Sequence, residues 1–188
     1  MRKYFFIAVL CAGLIAAGPI SGHGQDATPA VEVSVNGTKL WEHAAGGLYH
    51  NSGVSVAVTG NFNRFLGLET QLSKFQDIPP ADYFRFLFGP HFTYTAKSRV
   101  SLFAHILLGL TRDRECPPTS SCFLRSEEVG RNAFTAGFGG GLDVKVFRFF
   151  WLRPIQADYV HVSFPSAPEN NLQLSFGVAL RFGSAGDP

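Results

Sequence analysis

The chain has 188 residues, of which 16 are Lys or Arg and 14 are Asp or Glu, so its formal net charge is only +2 at neutral pH. This balance excludes the basic excess that holds nucleic acid, and no nucleic-acid partner is expected. Hydrophobic residues make up 46% of the chain and 19 residues are phenylalanine, which is more apolar surface than a soluble domain readily hides.

The first predicted element is a secretory signal peptide over residues 1–24. Arg2 and Lys3 form its charged start, an apolar run follows, and small residues precede the expected cut. A retained N-terminal membrane helix is the alternative, although the apolar run is short for a span and no stop-transfer charges follow it. Beyond residue 24 there are no 18 consecutive apolar residues, so the mature chain is expected to have no spanning helix.

Eight segments then follow in which large apolar residues occupy every second position. Strand side chains alternate between two faces, so this spacing predicts β-strands with one apolar face and one small or polar face. Pro154 cannot donate to a sheet ladder, and a bulge there is expected to bring Arg153 and Asp158 onto one face. The strands are predicted near residues 31–41, 54–58, 66–72, 84–94, 100–110, 134–146, 150–164 and 171–182.

The connections between these strands alternate in length. Long loops are predicted at 42–51, 76–82, 112–132 and 165–170, and tight turns at 60–63, 96–98 and 147–149. Transmembrane barrels of outer membranes have short turns at one end, longer loops at the other and an even number of strands. The predicted fold class is therefore all-β, a closed eight-stranded antiparallel up-and-down transmembrane barrel.

Volume decides which face of the predicted barrel points outward. An eight-stranded barrel has an interior just wide enough for filling side chains or one small ligand. The large apolar side chains are too many for that space, whereas the Gly, Ser and Thr set fits. We therefore expect lipid to contact the apolar face. The alternative is a soluble lipocalin-type barrel with the apolar face inside, which the volume opposes.

Aromatic residues are concentrated near both ends of the predicted strands, as in the two aromatic belts that mark membrane–water boundaries. The predicted belt at the short turns contains Phe62, Phe65, Tyr94, Phe147, Phe149, Phe150, Trp151 and Phe182. The predicted belt at the long loops contains Trp41, Tyr49, Phe75, Tyr83, Phe84, Phe134 and Phe164.

The last strand carries a second pattern on top of its alternation. Ser175, Gly177, Leu180 and Phe182 follow the order polar, glycine, apolar, aromatic. This order resembles the closing-strand signal by which the barrel-assembly machinery recognises outer-membrane barrels. We predict that machinery as a partner during biogenesis.

The order of the strands resembles the OmpA-type eight-stranded outer-membrane barrels of the outer membrane protein β-barrel domain family. The matching stretches are 53–69, 87–94, 137–146, 152–159 and the closing strand. The resemblance implies one outer-membrane barrel domain over 25–188, located in the outer membrane beside its lipid and lipopolysaccharide. That family has no single activity. We expect a structural or surface-interaction role with no enzyme activity, catalytic residue, cofactor or metal, and the sequence does not identify an external partner.

Charged residues on the predicted inward faces form a balanced set of four acids and four bases. They are Glu32, Glu69, Asp143 and Asp158, with Arg85, Lys145, Arg153 and Arg181. Buried charges are costly unless they are paired and hydrogen-bonded. The set therefore predicts a network that closes the lumen, and a narrow pore for ions or small solutes is the alternative.

Two further patterns lie near the predicted loops. Cys116 and Cys122, in the longest loop, predict a disulfide because an exported chain meets an oxidising environment. His161 and Ser163, with Glu169 after them, resemble the triad of barrel-type lipid A deacylases. Phe164-Pro165 replaces the residues that follow that serine in those enzymes, so a lipid A-modifying enzyme remains only an alternative.

Overall fold

The computed structural model describes residues 29–44, 47–76, 82–97, 99–115, 129–164 and 168–183. It contains eight strands: β1 (Val31–Ala44), β2 (Gly47–Asn61), β3 (Leu66–Gln76), β4 (Asp82–Lys97), β5 (Val100–Glu115), β6 (Val129–Lys145), β7 (Phe150–Ser163) and β8 (Pro168–Phe182). Each strand pairs antiparallel with the next, and β8 pairs with β1 to close the barrel. The predicted closed eight-stranded fold is confirmed.

The three tight connections, β2–β3, β4–β5 and β6–β7, lie at the same end of the barrel as the start of β1 and the end of β8. We call this the short-turn end and the opposite one the loop end. Within the described residues, no helix is both long enough and apolar enough to cross a membrane.

Side chains alternate between the two surfaces of each strand, as the pleat requires. In β1, Glu32, Ser34 and Asn36 are buried inside the barrel, whereas Val35 is exposed outside it. The described residues thus turn the apolar face outward, and the lipocalin-type alternative is wrong. The exposed band includes Val54, Val58, Leu66, Leu68, Phe86, Phe88, Phe92, Leu102, Ile106, Leu108, Leu110, Phe134, Phe138, Leu152, Ile155, Leu172, Phe176 and Leu180.

The strands run further toward the loop end than the sequence predicts. The loop expected over 42–51 is wrong, because β1 and β2 stay paired up to Ala44 and Gly47. The loop expected over 112–132 is also too long, because β5 and β6 stay paired up to Glu115 and Val129. Apolar alternation ends earlier than pairing does, because the ladder is built from backbone groups that every non-proline residue supplies.

The bulge predicted at Pro154 is present. The register between β7 and β8 shifts between Arg153 and Gln156, where two residues of β7 oppose one of β8. Pro154 and Ile155 are consequently both exposed, while Arg153, Gln156 and Asp158 are all buried. The extra residue changes the parity of the strand, so Arg153 and Asp158 share the inward face as expected.

Four residues predicted in the aromatic belts lie inside the barrel instead: Phe75, Tyr83, Phe164 and Trp151 are buried. Phe75 and Tyr83 occupy the same parity as their inward neighbours Ser73 and Arg85, so alternation overrides their position near a strand end. Part of this set joins Leu40 and other apolar residues in a buried cluster near the loop end. This outer apolar cluster consists of Leu40, Phe75, Tyr83, Ala133, Val160, Val162 and Phe164.

Candidate functional site

Four charged residues meet inside the barrel near the short-turn end, and we call Glu32, Asp143, Arg153 and Arg181 the four-charge cluster. Arg153 donates from Nη2 to Glu32 Oε1 at 2.7 Å and from Nε to Asp143 Oδ1 at 2.8 Å. Arg181 donates from Nε to Glu32 Oε2 at 2.5 Å and from Nη2 to Asp143 Oδ2 at 2.6 Å. Each guanidinium bridges both carboxylates, so two positive charges neutralise two negative charges in a buried space.

The strand order explains this meeting. Glu32 and Arg181 are direct cross-strand partners, because β1 and β8 close the barrel. Both guanidinium groups also lie over aromatic rings, with Arg153 Cζ 4.1 Å from the centre of the Phe103 ring and Arg181 Cζ 4.1 Å from that of Trp151. A planar guanidinium binds carboxylates at its edge and an aromatic ring at its face, so both surfaces of each group are used.

A second buried group lies in the middle of the lumen, and we call Glu69, His91, His105 and Asp158 the histidine–carboxylate hub. Glu69 Oε2 lies 2.6 Å from His91 Nδ1 and 3.1 Å from His105 Nδ1. His105 Nε2 lies 3.0 Å from Asp158 Oδ1, so both ring nitrogens of His105 face carboxylates. Gly139 pairs with both His105 and Asp158 across the sheet, and a Cβ there would collide with the Asp158 carboxylate.

Glutamine side chains connect the two groups and continue toward the loop end. Gln156 accepts from Arg153 Nη1 at 3.2 Å and donates to Asp158 Oδ2 at 2.8 Å. Gln173 donates to the same Asp158 oxygen at 3.2 Å and accepts from Arg85 Nη1 at 3.0 Å. Arg85 also donates to the Tyr83 hydroxyl at 3.2 Å, beneath the outer apolar cluster. Hydrogen-bonded side chains thus run from the short-turn end to that cluster.

Seven of the eight charged residues predicted to face the lumen are buried: Glu32, Glu69, Arg85, Asp143, Arg153, Asp158 and Arg181. Six of them make ion pairs within the two groups, and Arg85 hydrogen-bonds to Gln173 and Tyr83 instead. Lys145 is only half-buried, and its ammonium lies 5.9 Å from the centre of the Trp151 ring, beside the four-charge cluster.

Sequence reasoning missed the two histidines and the two glutamines of this network. It selected residues by formal charge, a count in which histidine and glutamine are neutral. The alternation could have identified the histidines. His91 lies an even number of residues from Arg85 in β4, and His105 lies an even number from Ser101 in β5, so both face inward. Their direct pairing across β4 and β5 is visible only once the register is known.

The residues of the deacylase-like pattern do not come together. His161 and Ser163 point outward from β7, and His161 Nδ1 lies 2.8 Å from Asn170 Oδ1. Glu169 has the inward register of β8, two residues before the buried Asn171. The barrel wall therefore separates Glu169 from the other two residues.

The residues of the predicted assembly signal divide between the two surfaces of β8. Ser175 is buried, and its hydroxyl lies 3.1 Å from that of Thr38 across the β1–β8 closure. Gly177 pairs with Asn36, and a Cβ there would collide with the β1 backbone. Leu180 and Phe182 are exposed on the outer surface. Cys116 and Cys122 lie outside the described residues.

Comparison of the sequence with known protein families and with curated proteins gives no match in either case. The fold itself has clear counterparts, because the solved structures to which the chain is similar include eight-stranded outer-membrane barrels. The chain is similar to Neisserial surface protein A, with a TM-score of 0.66 at 14% identity, over 81% of this chain and 97% of that one.

A second similar structure is Ail, the attachment invasion locus protein of Yersinia pestis. It has a TM-score of 0.55 at 15% identity and covers 81% of this chain and 99% of its own. A structure of Ail in complex with the heparin analogue sucrose octasulfate has a TM-score of 0.53 at 17% identity, over 81% of this chain and 99% of that one. At these identities the likeness establishes the fold alone.

Proposed function

We propose that the chain is an integral outer-membrane barrel whose lumen is closed by its charged network and whose role is structural or surface interaction. The exposed Leu, Phe and Val side chains around the wall support the membrane location, because hydrocarbon is the solvent that suits a continuous apolar band. The similar folds of two outer-membrane proteins support it as well.

The observation that carries the closed lumen is the reach of Arg153. From β7 its guanidinium contacts Glu32 on β1, Asp143 on β6 and the Phe103 ring on β5. The guanidinium therefore links side chains from four strands inside the barrel. The outer apolar cluster fills the lumen again near the loop end. An ion would have to separate paired buried charges and also pass apolar side chains, both of which cost free energy.

The length of the central strands supports a role at the outer surface. β6 has 17 residues, which span about 56 Å at about 3.3 Å per residue. At a tilt of about 45° this is about 40 Å along the barrel axis, against an apolar band about 25 Å tall. The paired ends of β5 and β6 thus extend beyond the apolar band and carry polar residues such as Arg112, Asp113 and Arg131. We propose that this projection contacts lipopolysaccharide or an external partner.

Conductance in planar bilayers tests the closed lumen. We expect the refolded wild-type barrel to give no steady channels. The double variant Arg153→Ala with Phe75→Ala should introduce channels, because it opens both the four-charge cluster and the outer apolar cluster. Arg148→Ala, in the exposed β6–β7 turn, is the matched control and is expected to stay silent. Steady wild-type channels that Arg181→Ala abolishes would refute the closed lumen and favour the narrow pore.

The remaining parts of the proposal concern biogenesis. Export through the segment 1–24, recognition of Ser175, Gly177, Leu180 and Phe182 by the barrel-assembly machinery, and a Cys116–Cys122 disulfide all follow from the sequence patterns. Fractionation of cell membranes tests the location of the protein. We expect the mature chain in the detergent-insoluble outer membrane, with heat-dependent mobility in gels. Recovery of the chain in a soluble fraction would contradict the membrane assignment.

A further inference from the structure

We propose that the histidine–carboxylate hub binds one divalent transition-metal cation of the Zn²⁺ type, with Glu69, His91 and His105 as its ligands. One ligand atom from each of Glu69, His91 and His105 lies within 4.8 Å of the other two, and all three residues are buried. Two imidazole nitrogens and one carboxylate oxygen form a donor set that zinc takes in proteins, with a fourth position left for water.

Asp158 supplies the outer support that such a site needs. Its Oδ1 lies 3.0 Å from His105 Nε2, and a carboxylate on the far nitrogen orients a ligating histidine and raises its basicity. Asp158 is itself held by donors from Gln156 and Gln173 at its other oxygen. With Nε2–H donated to Asp158, a neutral His105 presents the lone pair of Nδ1 to the site.

That lone pair faces an oxygen of Glu69 at 3.1 Å. Two acceptors at this distance repel each other unless a proton or a cation lies between them. The charges around the hub favour a cation. Arg153 and Arg181 are already matched by Glu32 and Asp143, and Arg85 reaches the hub only through Gln173. Glu69 and Asp158 bring two negative charges into the middle of the lumen without an arginine in direct contact. A divalent cation with neutral histidines balances these two charges.

The backbone places the ligands where only a small adjustment is needed. Glu69, His91 and His105 lie on the adjacent strands β3, β4 and β5, and the two histidines are direct cross-strand partners. Metal–ligand bonds of about 2.0–2.2 Å in a tetrahedral site separate the ligand atoms by about 3.3–3.6 Å. The Glu69–His91 and Glu69–His105 distances of 2.6 and 3.1 Å therefore open by no more than about 1 Å. The two histidine donors lie within 4.8 Å of each other and close by no more than about 1.5 Å. Glu69 pairs with Gly89, which has no side chain to block this movement.

Metal content after refolding tests the proposal. The untagged mature chain is refolded from urea into detergent micelles with ZnCl₂, separated by gel filtration and analysed by inductively coupled plasma mass spectrometry. We expect about one zinc per chain for the wild type and less than about a tenth of that for His105→Gln and Glu69→Gln. Mg²⁺ is not expected to be retained, because imidazole nitrogen suits transition metals. His161→Gln is the matched control and should keep its zinc, since His161 points outward at the loop end.

A zinc-free wild-type barrel would overturn the proposal and leave a protonated His105 as the cation of the hub. Zinc lost equally from His161→Gln would overturn it too, because the metal would then lie on the surface. Heat-dependent gel mobility shows whether each variant is folded. If the hub variants do not fold, the visible absorption spectrum of the wild type with added Co²⁺ tests the metal site instead. Visible absorption of tetrahedral Co²⁺ with nitrogen ligands is expected, and its absence overturns the proposal.

Discussion

Arg153 holds the lumen together near the short-turn end, because its guanidinium contacts four different side chains there. It pairs with Glu32 and Asp143, donates to Gln156 and covers the face of Phe103. Arg181 duplicates only the contacts with the two carboxylates. Removing Arg153 therefore leaves two buried carboxylates to share a single partner, which is more costly than replacing the whole set with apolar groups.

We predict that Arg153→Met lowers the free energy of unfolding by about 3 kcal/mol, the low end for a broken buried pair, because Arg181 still compensates in part. Urea unfolding of the refolded barrel, followed by tryptophan fluorescence, measures this. Arg148→Met in the exposed turn is the control and should change stability by less than about 0.5 kcal/mol. The double variant Asp143→Asn with Arg153→Met should cost less than the sum of the single changes. Strict additivity would show that the pair is not coupled.

β7 shows how one extra residue allows a regular ladder and a charged lumen to coexist. Arg153 and Asp158 have opposite parity along the chain, so a regular strand cannot bury both. The shift between Arg153 and Gln156 places Pro154 and Ile155 together on the outer surface and keeps three polar residues inward. The ladder on the β6 side shifts at the matching position, between Leu142 and Val144. Proline at the bulge loses little, since its missing N–H falls where pairing is already interrupted.

Single-residue deletions in β7 test this account. Deleting Pro154 removes the extra residue and keeps Arg153, Gln156 and Asp158 inward, so we predict a folded barrel within about 1 kcal/mol of wild type. Deleting Ala157 instead forces Ile155 inward and Gln156 outward, which breaks the link between the four-charge cluster and the hub. We predict a cost of at least about 3 kcal/mol for that deletion. Gel mobility with and without heating reports folding, and urea midpoints give the difference. Equal tolerance of both deletions would contradict the parity argument.

The barrel as a whole inverts the arrangement of a soluble protein. Its buried residues include Glu, Asp, Arg, His, Asn, Gln, Ser and Thr, whereas Leu, Phe, Ile and Val dominate the exposed surface. An exposed apolar band is stable only where its surroundings are apolar as well. The closed ladder completes this arrangement, because it leaves none of the eight described strands with an unpaired edge, as a spanning barrel requires.

We predict that Phe138→Arg, at mid-height in the apolar band, lowers the free energy of unfolding in lipid vesicles by about 2–4 kcal/mol. Phe138 is 59% exposed, so in water this change would be harmless. Phe147→Arg, at a 71% exposed position in the β6–β7 turn, is the matched control and should cost no more than about 1 kcal/mol. Equal costs at the two positions would show that the band does not contact hydrocarbon.

The sequence by itself determined the number of strands, the face that each one turns outward, the bulge at Pro154 and the inward placement of most of the charges. These features follow from period-two alternation and local turn chemistry, which can be read along a single segment. Only the tertiary structure decided which inward residues meet. Glu32 and Arg181 lie 149 positions apart and become neighbours through closure of β1 on β8. His91 and His105 likewise meet through the β4–β5 register. The strand ends also required the structure, because backbone pairing continues after apolar alternation has ended. The inward placement of Phe75, Tyr83, Trp151 and Phe164 was likewise seen only in the structure.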